Sequence, residues 1–361
     1  MPSQTIIITG GNTGLGFETA KAIARDQHTL VVIACRSPEL GQEAVRKLES
    51  AGYRAAYLPL DLSEQTSVRQ FVELFRAAEF PPLRGIVCNA GMMNVTTPQT
   101  TKEGYETTFA VNHLGHYLLV RLLLDDLTQE SCITFVSSGT HDPAQKTGVP
   151  NPIYNDAFTV AHDLETGRNA GLRRYTTSKL CNILCTYELS RRLNASGDPR
   201  LNSIKVNAIN PGMMPTTGLT RTWPKPMQWV SRNIMPLLRL VNDDVHTTQT
   251  SGERAAALAS GPDAAPGGRY FAKGKAVRSS AQSYDQALQR ELWISSAEMT
   301  GLPVEIPNGA PPLRRPHIAN LPGAVGFIEV ADRIAPTAWL ACFRKRRPWS
   351  AQRQATGLHQ R

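Results

Sequence analysis

The sequence predicts one α/β domain built as a doubly wound parallel sheet of about seven strands, with helices on both faces. Short β-branched apolar runs alternate with amphipathic stretches of helical length through the first half of the chain. The first of these runs leads straight into a glycine-rich turn. A strand followed each time by a helix implies parallel pairing, because parallel neighbours need a crossover between them.

Residues 5–9 form the first strand, a run suited to a sheet buried on both faces. The glycine turn follows, and then a helix over 15–25. Strand 30–34 and an amphipathic helix over 39–49 come next. A third strand covers 55–58, after which Ser63 caps a helix running toward residue 78. Strand four is 85–88. A long, mostly apolar helix spans 104–127, strand five 132–136, a helix 175–193 and strand six 204–208. A seventh strand is expected at 268–271.

Two stretches break the rhythm. Residues 141–172 are loop-rich and carry Pro143, Pro150 and Pro152. Residues 213–245 are unusually apolar and hold Trp223, Met227, Trp229, Ile234 and Met235. Segments of this length between regular elements often serve as lids or binding loops. Beyond Leu302 the chain turns Pro-rich, then basic, and loses periodicity. The expected organisation is a dinucleotide-binding and catalytic domain over 1–301, with a poorly ordered extension over 302–361.

The chain of 361 residues is long enough for a sizeable core, and its 41% hydrophobic and 19% charged residues suit a soluble globular protein. Most of the net charge of +9 lies beyond Leu302, where nine Lys and Arg face three acids. The near-neutral body argues against a nucleic-acid partner. The six cysteines show no zinc-like spacing, so no metal is expected. Cys181 and Cys185, four apart on an expected helix, read as small apolar residues. The N-terminus enters a strand without a signal segment, and no apolar run reaches the ~18–20 residues of a membrane span. A cytoplasmic setting is expected.

The turn Thr9-Gly10-Gly11-Asn12-Thr13-Gly14-Leu15-Gly16 joins the first strand to the first helix. Glycines permit a tight turn and let backbone approach a pyrophosphate, while the helix N-terminus offers free N–H groups and a positive dipole end. Gly10, Asn12, Thr13, Gly14, Leu15 and Gly16 are the expected contacts. The second strand ends in Ala34-Cys35-Arg36-Ser37. An acid here would bind a ribose 2′-hydroxyl, whereas an arginine accommodates a 2′-phosphate, so Arg36 favours NADP(H) over NAD. The alternative is a plain surface arginine. Asp61 and Leu62 follow the third strand, where an adenine edge would lie; Asp61 could equally be a turn residue. Asn89, Ala90 and Gly91 end the fourth strand, and their small size would let a cofactor lie close to the backbone.

Tyr175 and Lys179, four apart at the expected start of a helix, share one face. A free tyrosine has a pKa near ~10, and a nearby ammonium lowers it toward a useful range, which makes the pair a candidate general acid/base. Tyr-x-x-x-Lys alone is common by chance. Its specificity comes from order: the glycine turn, Asn89-Ala90-Gly91, Asn112, Ser137-Ser138, Tyr175 with Lys179, and Asn210-Pro211-Gly212 occur in succession.

This succession resembles the short-chain dehydrogenase/reductase family, across about residues 3–300, and with it a Rossmann-type fold. The resemblance implies that Ser138 hydrogen-bonds the substrate oxygen, that Tyr175 exchanges the proton, and that Lys179 binds the nicotinamide ribose and tunes Tyr175. It implies that Asn112 holds a relaying water, and that the loop with Pro211, Gly212, Thr216 and Thr217 contacts the cofactor. Blander roles stay open: Ser138 as a strand-end turn residue, Asn112 as a cross-link within its helix. Ser137 reads as structural, His113 and His116 as satisfied core histidines, and His141 as a loop residue.

Tyr175 follows Ser138 by 37 residues, a longer interval than in simpler members of the family. Asn112-His113-Leu114-Gly115-His116, Leu180-Cys181-Asn182 and Thr216-Thr217-Gly218-Leu219 are similar to the branch of retinol dehydrogenases and light-dependent protochlorophyllide reductase. Met213 stands where that reductase has a cysteine, and Asn89-Ala90-Gly91 where it usually has Asn-Ala-Ala, which favours a dark enzyme. The apolar stretch within 213–245 suggests a bulky hydrophobic carbonyl or alcohol as substrate. It reads alternatively as a peripheral membrane contact. A homo-oligomer is implied by the resemblance alone. A non-catalytic, NADP-sensing regulatory protein on the same fold is the reading from another class.

Overall fold

A computed structural model describes residues 1–212, 214, 246–260 and 266–306. Contacts divide the chain into Met1–Arg314 and Arg315–Arg361, and all described residues belong to the first unit. Most of the apolar 213–245 stretch and the extension past residue 306 lie outside the described residues.

The elements run β1 (Gln4–Thr9), α1 (Gly14–Ile23), β2 (Thr29–Cys35), α2 (Pro38–Ser50), β3 (Ala55–Pro59), α3 (Gln65–Ala77) and β4 (Leu83–Cys88). A continuous helical passage follows, with α4 (Thr107–Phe109), a π-helical turn at Ala110–Leu114 and α5 (Gly115–Leu123). Then come β5 (Leu127–Val136), α6 (Ala157–Ala161), α7 (Arg168–Asn194), α8 (Pro199–Asn202), β6 (Lys205–Asn210), α9 (Thr248–Ser260), β7 (Arg269–Ala272), β8 (Lys275–Val277) and α10 (Gln286–Thr300). The sheet order is β3-β2-β1-β4-β5-β6-β7-β8, parallel throughout except for the antiparallel β7–β8 hairpin. The expected seven strands are present, and β8 is an addition.

β1 shows why the layers form. Ile7 enters the apolar cluster on one face, while Ile6 and Ile8 enter the cluster on the other, as period-two alternation requires. All three are fully buried. On one face α1 and α9 pack so closely that a Cβ at Gly252 would stand 2.7 Å from the Glu18 backbone. On the other face α10 lies over α5 and α7. Trp293 packs edge-on to Tyr117 at 5.0 Å, and the guanidinium groups of Arg121 and Arg192 sit over its ring.

Three local expectations are corrected. Ser63 does not cap α3: its hydroxyl donates to Asp61 Oδ1 at 2.6 Å, Glu64 occupies the cap, and Glu103 Oε1 accepts from the Gln65 N–H. The helix expected from 175 begins at Arg168, so Tyr175 lies two turns inside α7 rather than at its start. Close packing explains the extension, since Gly171 lets α7 touch the backbone of Asn94 and Val95, where a Cβ would come within 2.3 Å. The 141–172 stretch, expected to be loop-rich, also holds a 3₁₀ turn at Pro143–Gln145, α6 and the first residues of α7.

Candidate active site

The strand order reverses between β1 and β4, whose C-terminal ends flank this switch point, with those of β5 and β6 next along the same sheet edge. Ligands of open α/β sheets bind in such a crevice. The glycine turn lies at the end of β1. Gly10 and Gly14 have φ of +62° and +55°, a region that L side chains enter at a cost. Gly16 has a different reason: a Cβ would sit 2.3 Å from the Gly10 carbonyl oxygen and 2.5 Å from Asn89 Nδ2. Leu15 is buried beneath the turn, Asn12 is half-buried and Thr13 is exposed. Thr13 is the N-cap of α1, but its side chain makes no capping bond, and the first turn carries no acid. The first N–H groups of α1 are thus left for an anion, and the residues present fit a dinucleotide's phosphates.

Arg36 is exposed at the end of β2 and makes no ion pair among the described residues. Asp61 Oδ1 accepts from both the amide and the hydroxyl of Ser63, so one carboxylate oxygen serves the turn. Leu62 is buried, and its carbonyl lies under Gly115, where a Cβ would come within 2.4 Å. At the end of β4, the hydroxyl of Thr9 accepts from the amides of Asn89 and Ala90, each at 2.9 Å, and Asn89 Nδ2 donates to the Thr9 carbonyl. Thr9, which sequence reasoning passed over, therefore ties the glycine turn to the Asn89–Gly91 strand end. Its place at the head of that turn was the available signal.

Asn112 lies in the π-helical turn, fully buried. Its Oδ1 accepts from the Met92 amide at 2.7 Å, and its Nδ2 donates to the Met92 carbonyl and to Ser178 Oγ, both at 2.9 Å. It cross-links the strand-end loop to α7 rather than its own helix. Gly91 sits against Asn112 and Lys179, with a built Cβ 3.3 Å from Asn112 Oδ1 and 3.4 Å from Lys179 Nζ. Lys179 Nζ donates to the Val136 carbonyl at 3.0 Å and lies 5.6 Å from the centre of the Tyr175 ring. Ser137 is structural: its hydroxyl donates to the Lys179 carbonyl at 2.7 Å. Ser138 is half-buried at the end of β5, and its Oγ accepts from the Thr140 amide.

The electrostatics correct one expectation. Burial pushes the Tyr175 hydroxyl up to about 12, opposed by hydrogen bonding from Ser138; the ammonium of Lys179 does not pull it down. Burial likewise lowers Lys179 to about 8. Both shifts have the same cause, since the charged form of either group is poorly solvated here. The pair thus holds its proton on Tyr175, which suits a proton donor.

His141 is buried and tightly held. Its Nδ1 donates to the Ser138 carbonyl at 2.7 Å, its Nε2 accepts from the Ser280 amide at 3.0 Å, and its ring meets Tyr270 edge-on. Burial lowers its pKa, which keeps it neutral. Cys181 and Cys185 are buried thiols pushed up by burial, as expected of apolar helix residues. Gly212, with φ +83°, donates its amide to Asn210 Oδ1, and the Pro211 carbonyl accepts from Ser251 Oγ. Thr216 and Thr217 lie outside the described residues. No helix of the described residues is long and apolar enough to cross a membrane.

Comparison with known proteins agrees with this fold. A short chain dehydrogenase family model matches residues 4–149. The chain is 33% identical to polyprenol dehydrogenase of Homo sapiens over 313 residues, covering 83% of this chain and 86% of that protein. It is 32% identical to protochlorophyllide reductase of Avena sativa over 321 residues, covering 82% and 99%. A crystal structure of a putative uncharacterized protein from Mycobacterium Paratuberculosis superposes with a TM-score of 0.61 at 27% identity, over 85% of this chain and 96% of that one. The fold, the crevice and these likenesses make the chain an oxidoreductase of the short-chain dehydrogenase/reductase family.

Proposed function

We propose that the chain reduces the carbonyl of a bulky hydrophobic substrate with NADPH, or runs the same reaction in reverse on the alcohol. The convergence of Ser138, Tyr175 and Lys179 beside the glycine turn carries this reading. The glycine turn and the N-terminus of α1 would hold the pyrophosphate, Arg36 the 2′-phosphate, and Lys179 and Tyr175 the nicotinamide ribose. The reduced nicotinamide would supply the hydride. Ser138 Oγ donates a hydrogen bond to the substrate oxygen. Tyr175 Oη, protonated at neutral pH, gives its proton to that oxygen as the carbonyl carbon becomes tetrahedral. Lys179, with a pKa of about 8, lies close enough to neutrality to return a proton to the phenolate.

Two observations support a large apolar substrate. Ile153, Phe158 and Leu164, all on the 141–172 stretch, are exposed large hydrophobics. A relative sharing 33% identity is named for polyprenol. The protochlorophyllide reductase likeness keeps a light-driven reaction as the second reading.

The test is NADPH oxidation by the purified chain against hydrophobic carbonyls of increasing size, in light and in darkness. Dark turnover is expected, rising in kcat/KM with apolar bulk, and Tyr175→Phe should cut kcat by on the order of 10²–10⁴-fold. Turnover that survives Tyr175→Phe would refute the proton-donor assignment. Turnover only under illumination would replace the dark reading with the second one.

A further inference from the structure

His116 is fully buried, as are Thr9 and Asn112. Its Nδ1 lies 3.1 Å from the backbone carbonyl oxygen of Asn112. A carbonyl can only accept, so Nδ1 carries a proton. Its Nε2 lies 2.8 Å from Thr9 Oγ1. Burial, with the nearby Lys179 ammonium adding to it, holds the ring neutral. Nε2 is then the acceptor, and Thr9 is the donor. The Thr9 hydroxyl in turn accepts the amides of Asn89 and Ala90. The hydroxyl thus spends its proton on His116 and both lone pairs on the strand end; the Val87 carbonyl, at 3.3 Å, is its longer alternative.

The chain of bonds has a direction. It runs from the Asn89 and Ala90 amides through Thr9 and His116 to the Asn112 carbonyl, inside the π-helical turn. That turn closes with the Gly115 amide on the Ala110 carbonyl, a span of five residues. A π turn is costly relative to regular helix and needs local reasons to persist. One of them is a side-chain donor on the Asn112 carbonyl. If the turn relaxed to regular α-helix, the Asn112 side chain would rotate away from Met92 and Ser178, which it bridges.

We infer that His116 is a positioning residue: it locks the Asn112 turn in register with the nucleotide-binding strand end, acting on the reaction through Asn112. The inference rests on the proposed oxidoreductase reading for its kinetic arm only. In that arm, His116→Leu, Asn112→Ala and the double variant are compared with the parent chain. His116→Leu should lower kcat by on the order of 10–100-fold, the scale of a misplaced catalytic group, with KM for the carbonyl nearly unchanged. The double variant should be no slower than Asn112→Ala alone, and His116→Gln should recover part of the loss. Losses that multiply in the double variant, or that appear mainly in KM, would overturn the inference.

The second arm needs no turnover. Nitrogen NMR of the chain labelled at histidine should show His116 as the neutral Nδ1–H tautomer from pH 5 to pH 8. An Nε2–H tautomer, or an imidazolium forming near the ordinary histidine pKa, would overturn the inference even in an active enzyme. Absence of NADPH-dependent turnover in the parent chain would refute the functional reading while leaving this arm decisive for His116.

Discussion

Lys179 is a buried cation without a carboxylate partner among the described ion pairs, and replacing it should make the protein more stable. It is 4% exposed. Its ammonium is held by the Val136 carbonyl, and burial lowers its pKa from 10.5 to about 8. Each pKa unit corresponds to about 1.4 kcal/mol, so carrying the charge costs the folded state about 3 kcal/mol. Between pH 8 and 10.5 the unfolded chain binds more protons at this residue than the folded chain does. Its contribution to stability therefore rises with pH across that window. Below the window the penalty is complete; above it, the penalty is gone. Lys179→Met keeps the length and removes the charge, and the Val136 carbonyl keeps a donor in Asn182 Nδ2 at 3.3 Å. The Met variant should be the more stable by about 2–3 kcal/mol at pH 7, with the gap closing toward pH 10.5, while turnover is lost. Urea denaturation midpoints of both chains at pH 6, 7, 8, 9 and 10 measure this. A Met variant less stable than the parent at pH 7, or a gap that stays constant from pH 8 upward, would refute the reasoning.

Other substitutions probe the rest of the site. Gly16→Ala places a methyl against the Gly10 carbonyl and Asn89 Nδ2, which should cost about 1–3 kcal/mol of stability and weaken NADPH binding in a fluorescence titration. Unchanged affinity would show that the turn does not meet the cofactor. Arg36→Asp should reverse the preference between NADPH and NADH, read as the ratio of kcat/KM values; a parent chain that uses both equally would contradict the role of Arg36. His141→Phe keeps a ring but leaves the Ser280 amide without its bond, and the Ser138 carbonyl keeps only the residue 141 amide at 3.3 Å, at a cost of about 1–3 kcal/mol. It should lower kcat by displacing Ser138, and an unaltered kcat would reduce His141 to a packing residue.

What could be read from the sequence was what local pattern controls. The β1 run, the glycine turn and the alternation of strands with helices follow from side-chain period and backbone freedom, so seven strands and the crevice were visible in advance. The β7–β8 hairpin was not, because Lys275–Val277 is a short and wholly exposed strand with no apolar alternation to mark it. Ser63 looked like a cap by type and position, but a carboxylate two residues earlier competed for its hydroxyl. The start of α7 was hidden for a similar reason. Nothing local announces that Gly171 will meet the Asn94 backbone, which is what carries the helix back over two turns before Tyr175.

The candidate site shows the same division at the level of chemistry. Spacing pointed to Tyr175 and Lys179, and the family resemblance implied Ser138 and Asn112, yet their electrostatic state depends on burial that neither encodes. Proximity of an ammonium suggested a lowered tyrosine pKa; dehydration of both groups instead leaves Tyr175 high and Lys179 low. The two shifts are complementary. In the proposed reaction, a tyrosine that keeps its proton at neutral pH and a lysine that gives one up near pH 8 would form a donor and its supply, arranged in series. The cost of a buried lysine would then secure that supply, and the bonds around the pair fix geometry rather than charge. Thr9, His116, Ser137 and His141 each place a neutral hydrogen bond on the backbone of a site element. Neutral partners hold Ser138, Asn112 and Lys179 in place without adding a second charge that would pull either pKa back toward its ordinary value.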